Sequence, residues 1–247
     1  MLLLVGHGSR DPRFVATSRR VADAVGARVP GVEVQLAYLD LNEPLVSDVL
    51  GESSGDVTVV PLLFGDGYHS KIDLPAIIDD AQRANPGLRV TQTPIVGRHS
   101  PIPALVDQLF RSLSLSKGSL SLSKGLGVLL YAVGSSDTGS DASVRARGDE
   151  LAGYLGVPVE TVFATRLGPD GSAVRDAVAR LRAAGAQQIA ASPLFLSAGL
   201  LTERVERQLD LHAPGSLVAG PIGAHPALVG AVVSLYRSTT APLLSVG

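Results

Sequence analysis

The stretch "LLLVGHGSRD" at residues 2–11 decides how the chain reads, because it has a counterpart further on. An apolar run leads directly into His7 and Ser9, set between glycines, with Arg10 and Asp11 beyond. At residues 128–137 stands "VLLYAVGSSD", which aligns His7 with Val133, Gly8 with Gly134, Ser9 with Ser135, Arg10 with Ser136 and Asp11 with Asp137. The offset is 126 residues. Two more pairs follow in the same order. "VVPLLFGDGYHSK" at 59–71 faces "AASPLFLSAGLLTE" at 190–203, placing His69 opposite Leu201 at an offset of 132, and "PIVGRHSPIPALV" at 94–106 faces "GPIGAHPALVGAV" at 220–232, placing His99 opposite His225, again at 126. Ordered matches at a nearly constant offset indicate one half-domain written twice.

Between the copies, residues 112–125 read "SLSLSKGSLSLSKG", a seven-residue unit repeated in tandem. Rich in Ser and Gly and without an apolar helical face, it reads as a linker. The expected organisation is an N-terminal half at 1–111, the linker at 112–125 and a C-terminal half at 126–247.

Each half alternates β-rich runs with helical patterns. In the first, strands are expected at 1–5, 32–39, 57–64 and 89–94. Asp11 and Pro12 read as an N-cap followed by Pro at the first helical position, and Phe14, Ser18, Val21, Val25 and Val29 form a helical stripe. Further helices are expected after Pro44, near Asp73 to Ala84 and after Pro101. In the second half Val174, Ala177, Val178 and Leu181 make the same kind of face. This alternation predicts an α/β fold of two tandem halves, each a parallel sheet of about four strands with helices on both faces.

Composition narrows the function. The chain has 247 residues with 21 Lys and Arg against 23 Asp and Glu, a net charge of -2, so the broad basic field that nucleic-acid binding needs is absent and no nucleic-acid partner is expected. There is no cysteine, which excludes disulfides, thiolate nucleophiles and sulfur-ligated metal centres and leaves His, carboxylate and water as metal donors. No run approaches a membrane span and no signal peptide opens the chain, so a cytoplasmic protein with no membrane partner is expected.

In parallel α/β sheets ligands bind at the C-terminal ends of the strands. His7 follows the first expected strand and His69 lies just past the third, so both can project into one crevice, and Glu43 follows the second strand on the same edge. Two imidazoles and a carboxylate suit Fe(II), Co(II), Ni(II) or Zn(II) with positions left open for substrate. Taken singly, a histidine at a strand end is more often a local hydrogen-bonding residue, and Glu43 fits equally well as a first-turn acid favoured by the helix dipole. The repeat supplies a control. His7 and His69 give way to Val133 and Leu201 in the second copy, whereas His99 and His225 persist in both, so the first pair reads as functional and the second as structural caps. Arg10, Arg13 and Lys71 are available for ligand carboxylates, although solvated surface charges are the rule for such residues.

The pattern is not a dinucleotide fingerprint, because Asp11 replaces the third glycine, and neither a phosphate-binding loop nor a G-x-S-x-G elbow is present. It resembles the class II chelatases, in particular the two-domain sirohydrochlorin chelatases of the cobalamin and sirohaem pathways. The resemblance rests on "GHGSRD" at 6–11, "LDLNEP" at 39–44, "PLLFGDGYHSKIDLP" at 61–75 and "VGRHSPIP" at 96–103. It implies a lyase that inserts Co(II) or Fe(II) into a tetrapyrrole with release of two protons. The divalent metal is then a substrate, and no cofactor is permanently bound. His7, His69 and Glu43 fall on the family's metal-handling and catalytic positions, Ser9 and Arg10 on substrate-binding ones, and the second half resembles its degenerate, non-catalytic copy. The protein is expected as a monomer or homodimer. Two other readings stay open: a metallochaperone using the same histidines without catalysis, and a phosphoryl-transfer enzyme with His7 as nucleophile, which lacks the Arg expected before its His-Gly pair.

Overall fold

A computed structural model describes residues 1–65, 67–99, 101–112 and 125–240, with His69 described in its backbone. Most of the 112–125 linker expectation, residues 113–124, lies outside the described residues. The first sheet comprises β1 (Leu2–Gly6), β2 (Val34–Tyr38), β3 (Gly55–Pro61) and β4 (Leu88–Gln92), and the second β5 (Leu126–Ala132), β6 (Val159–Phe163), β7 (Gln188–Pro193) and β8 (Leu217–Val218). Their orders are β2-β1-β3-β4 and β6-β5-β7-β8, every pairing parallel. The expected architecture of two four-stranded parallel sheets is borne out.

The first strand explains why. Leu2, Leu3, Leu4 and Val5 are all fully buried, as a central parallel strand covered on both faces requires. Leu3 and Val5 pack with Val46, Val49 and Leu50 of α2 (Val46–Glu52) and Leu74 and Ile78 of α3 (Leu74–Ala84). Helix α1 (Pro12–Gly26) buries Ser18, Val21 and Val25 of the expected stripe, and Asp11 caps it by accepting from the Arg13 amide. In the second sheet Leu129 and Tyr131 pack with Val174, Ala177, Val178 and Leu181 of α6 (Ser172–Ala183) and Val205 and Leu209 of α7 (Leu200–His212). Helix α5 (Thr138–Leu155) stands where α1 does, capped by Asp137 as α1 is by Asp11.

The chain divides into two compact units, Met1–His99 with Pro226–Gly247, and Ser100–His225. Helix α4 (Ile102–Ser112), which follows the first sheet in sequence, packs in the second unit against α5, β7 and β8. Helix α8 (Pro226–Thr240), at the far end of the sequence, packs in the first unit against α1 and β3. Each sheet is thus completed by the last helix of the other half. Asp107 of α4 is buried and accepts from Arg111, and His225 Nε2 meets the same carboxylate oxygen at 3.0 Å, a contact that ties α4 to the segment entering α8.

Candidate functional site at the edge of the first sheet

Strand order β2-β1-β3 means that the chain leaves β1 toward one neighbour and later returns on its other side. This is the topological switch point where parallel sheets open a crevice. His7 is the first residue beyond β1, residues 39–45 follow β2, and residues 62–69 follow β3. The loops are joined by backbone hydrogen bonds: Leu39 N to Gly6 O and Asp40 N to His7 O, both 3.0 Å, and Leu62 N to Val5 O, 2.8 Å.

Two glycines permit this approach. Gly8 has a φ of +100°, and a Cβ there would lie 1.7 Å from the carbonyl oxygen of Asp40. Gly97 lies so close to the β3 loop that a Cβ would stand 2.3 Å from the Phe64 oxygen, while its amide donates to Leu63 O at 2.9 Å. Asn42 Oδ1 accepts the Ser9 amide at 2.7 Å and Ser9 Oγ accepts the Asp11 amide at 3.1 Å, so the loop after His7 is pinned at both ends. Hydrogen bonds from the Arg13 side chain, and then from its amide, hold the Asp11 carboxyl below the usual carboxylate range.

His7 is half-buried and its Nδ1 lies 3.2 Å from Gly8 O. A carbonyl oxygen only accepts, so in a hydrogen bond at this contact Nδ1 is the donor. Ser9 is half-buried, and Arg10 and Glu43 are exposed. His69 opens a single π-type turn, His69–Asp73, that leads into α3, with exposed Tyr68 and Ile72 beside it in sequence. His7, Glu43 and His69 therefore follow three neighbouring strands at the same sheet edge. Among the described residues no group of three His, Asp or Glu side chains is arranged to hold a metal ion.

Beside this edge lies an open groove of about 560 Å³, of whose lining the sequence had marked only Ser9 and Arg10, as substrate-binding residues. Ser9, Arg10 and Asn42 line it from the loops, and Val15 and Arg19 from α1. Leu41 completes it with a φ of 65° and 46 % of its surface exposed, an unusual conformation for a leucine.

The second sheet repeats the edge with other side chains. Ala164 N donates to Ala132 O and Thr165 N to Val133 O, matching the bonds of Leu39 and Asp40 and fixing the residue correspondence. Gly134 has a φ of +90°, and Ser135 Oγ accepts the Asp137 amide at 3.0 Å. The Ser135 amide donates to Asp141 of α5 at 2.9 Å, and Arg166 bridges the Asp141 carboxylate and the Ser135 carbonyl. Val133 is exposed in the place of His7, and Leu201 packs against the hydrophobic core in the place of His69.

Comparison with known proteins agrees with this duplication. The family model described as CbiX matches the chain twice, over residues 1–113 and 127–239. The sirohydrochlorin cobaltochelatase of Priestia megaterium is 27 % identical over 246 residues, covering 92 % of this chain and 76 % of its own. The sirohydrochlorin ferrochelatase of Bacillus subtilis strain 168 is 24 % identical over 250 residues, covering 97 % and 92 %. Among solved structures, the sirohydrochlorin chelatase SirB from Bacillus subtilis subspecies spizizenii, in complex with cobalt, shares the fold with a TM-score of 0.74 at 22 % identity, covering 96 % of this chain and 94 % of its own.

Proposed function

The chain belongs to the CbiX family, and from that premise we propose that it inserts Co(II) or Fe(II) into sirohydrochlorin at the C-terminal edge of the first sheet, with His7 and His69 handling the metal. Membership bears out the resemblance to the class II chelatases and the assignment as a metal chelatase, a lyase. The observation that carries the siting is the switch-point arrangement: His7, Glu43 and His69 follow β1, β2 and β3 on one edge, while the second edge carries Val133 and Leu201.

Metal insertion asks for three things: partial removal of the ion's water shell, acceptance of two pyrrole protons, and an open approach to one macrocycle face. A neutral imidazole is both a borderline ligand and a base with a pKa of about 6.5, so it serves the first two. With Nδ1 donating to Gly8 O, Nε2 is the nitrogen of His7 left for the metal, and the carbonyl is the kind of second partner that fixes tautomer in metal-handling histidines. Two histidines and an exposed carboxylate form an incomplete ligand set, which binds the incoming ion without trapping it as a closed four-ligand site does. Ser9 and Arg10 lie two and three residues beyond His7 and serve to anchor carboxylates of the macrocycle. Among the described residues no helix is long and apolar enough to cross a membrane.

The test is a spectrophotometric insertion assay with sirohydrochlorin and Co(II) or Fe(II), run on the wild type, His7→Ala and His69→Ala. Loss of turnover by about a hundredfold or more is expected in each variant. Full activity in both variants overturns the site, and a wild type inactive with every divalent metal overturns the function. A metallochaperone would bind Co(II) and leave the sirohydrochlorin spectrum unchanged.

A further inference from the structure

The two sheet edges also differ at a pair of positions that the metal chemistry does not use. Helices α1 and α5 start from matching caps, Asp11 and Asp137, so Val15 corresponds to Asp141 and Arg19 to Arg145. The backbone bonds of Leu39 with Ala164 and of Asp40 with Thr165 make Leu41 the counterpart of Arg166. In the second unit Asp141 and Arg166 form an ion pair beside the Ser135 loop, with Arg166 also donating to the Ser135 carbonyl, and Arg145 lies over the Phe163 ring at 4.9 Å. In the first unit the same two positions are Val15 and Leu41, and the space between them is the groove of about 560 Å³. Where the second unit has an ion pair, the first has two apolar side chains that line an open groove.

The groove has a definite chemistry. Val15, Pro12 and Leu41 supply an apolar lining, and Arg10 and Arg19 supply two positive charges that form no ion pair with any described residue. Leu41 is held in a left-handed conformation that a leucine rarely adopts, with its amide bonded to Asp40 Oδ1 at 2.7 Å, and its side chain is presented to solvent. The matching ligand is a flat apolar body edged by carboxylates.

We propose that this groove is the seat for one carboxylate-bearing edge of the tetrapyrrole: Arg19, with Arg10, pairs the carboxylates, and Leu41 and Val15 pack against the adjoining ring. The proposal rests on the chelatase reading and extends it to positioning residues outside the metal-handling set. Ser9 is two residues from His7 and Asn42 is adjacent to Glu43, so a ligand edge held here lies within about 7 Å of chain from the metal-handling positions. Guanidinium pairs with carboxylates are strong, directional contacts, well suited to fixing the macrocycle in its plane.

The second unit supplies the substitutions that test the groove. The double variant Val15→Asp/Leu41→Arg installs the ion pair that the other edge already carries. Metal-free sirohydrochlorin is titrated by fluorescence against the full chain, and turnover is measured with Co(II). The double variant is expected to raise the ligand Kd and the KM by about tenfold or more, with a much smaller change in kcat and in Co(II) affinity. Arg19→Gln, at an exposed position that does not threaten folding, is expected to weaken binding by about tenfold for the free acid and by less than about twofold for its permethyl ester. Arg175→Gln on α6 serves as the unaffected control. If the double variant does not fold, Arg19→Gln and Leu41→Gly, the latter compatible with the positive φ, decide the matter. Wild-type affinity in these variants, with wild-type metallation intact, overturns the groove assignment and leaves the chelatase reading standing. A wild type that neither binds nor metallates sirohydrochlorin overturns the chelatase reading itself, and the groove's ligand with it.

Discussion

The loop after β1 and the loop after β5 solve the same backbone problem with different side chains. Both turn on a glycine with positive φ, both use a serine hydroxyl to accept an aspartate amide, and both cap the following helix with that aspartate. They part at the serine amide. In the first unit a neutral Asn42 from the β2 loop accepts it, and in the second a carboxylate on α5 does so while paired with Arg166. The comparison separates what the turn needs from what the ligand needs. Glycine, serine and aspartate recur because the backbone requires them, whereas His7, Arg10, Val15 and Leu41 stand where the second copy has Val133, Ser136, Asp141 and Arg166.

The sharpest way to break the comparison is to exchange its histidine. His7→Val, which copies the second half, is expected to lower metal insertion by about a hundredfold or more, and Val133→His is expected to leave the rate unchanged, both read from the sirohydrochlorin absorbance. Comparable loss in both variants would show that the second edge is not degenerate.

The glycines come next. Gly8→Ala places a Cβ against the backbone of Asp40 and is expected to destabilise the protein by about 3 kcal/mol or to displace the loop and abolish activity. Gly134→Ala, at a φ of +90° with Thr165 Oγ1 at 2.6 Å and Phe163 Cβ at 2.8 Å, is also expected to destabilise the protein, but at the edge without the histidines, so the folded protein is expected to keep its activity. Thermal unfolding together with the insertion assay tests both.

Asp107 probes the exchanged helices. Its counterpart at the offset of 126 is Val233 of α8, buried like it but apolar. Asp107→Val removes the carboxylate from His225 and Arg111, and a cost of about 2 kcal/mol is expected in chemical denaturation. The smallest effect belongs to the shared scaffold: Asp11→Ala and Asp137→Ala are each expected to cost about 1 kcal/mol. For Asp11 the sign with pH is fixed by Arg13, which lowers the folded-state pKa. Its contribution is present above the ordinary carboxylate pKa and is lost as pH falls through the lowered value, so the Asp11→Ala deficit shrinks on acidification.

Much of this was legible in the sequence. The four strands of the first half fell within a few residues of the expected runs, and the buried stripes of α1 and α6 were readable because period-3.6 and continuous apolar patterns are local properties. His7 and His69 stood out because the second copy lacks them. The groove was missed for a physical reason: Val15 and Leu41 are ordinary hydrophobic residues on their own. Their meaning appears only when α1 and the β2 loop are superposed on their counterparts in the second unit.

The sequence by itself determined that one fold is written twice and that its first copy ends a buried strand on a histidine, because strand burial, helix capping and glycine turns act over a few residues. Which sheet each final helix completes was decided only in three dimensions. An apolar stripe states that a helix face is to be buried but not against what, and two copies of one fold offer it nearly equivalent surfaces. α4 settles on the second sheet and α8 on the first.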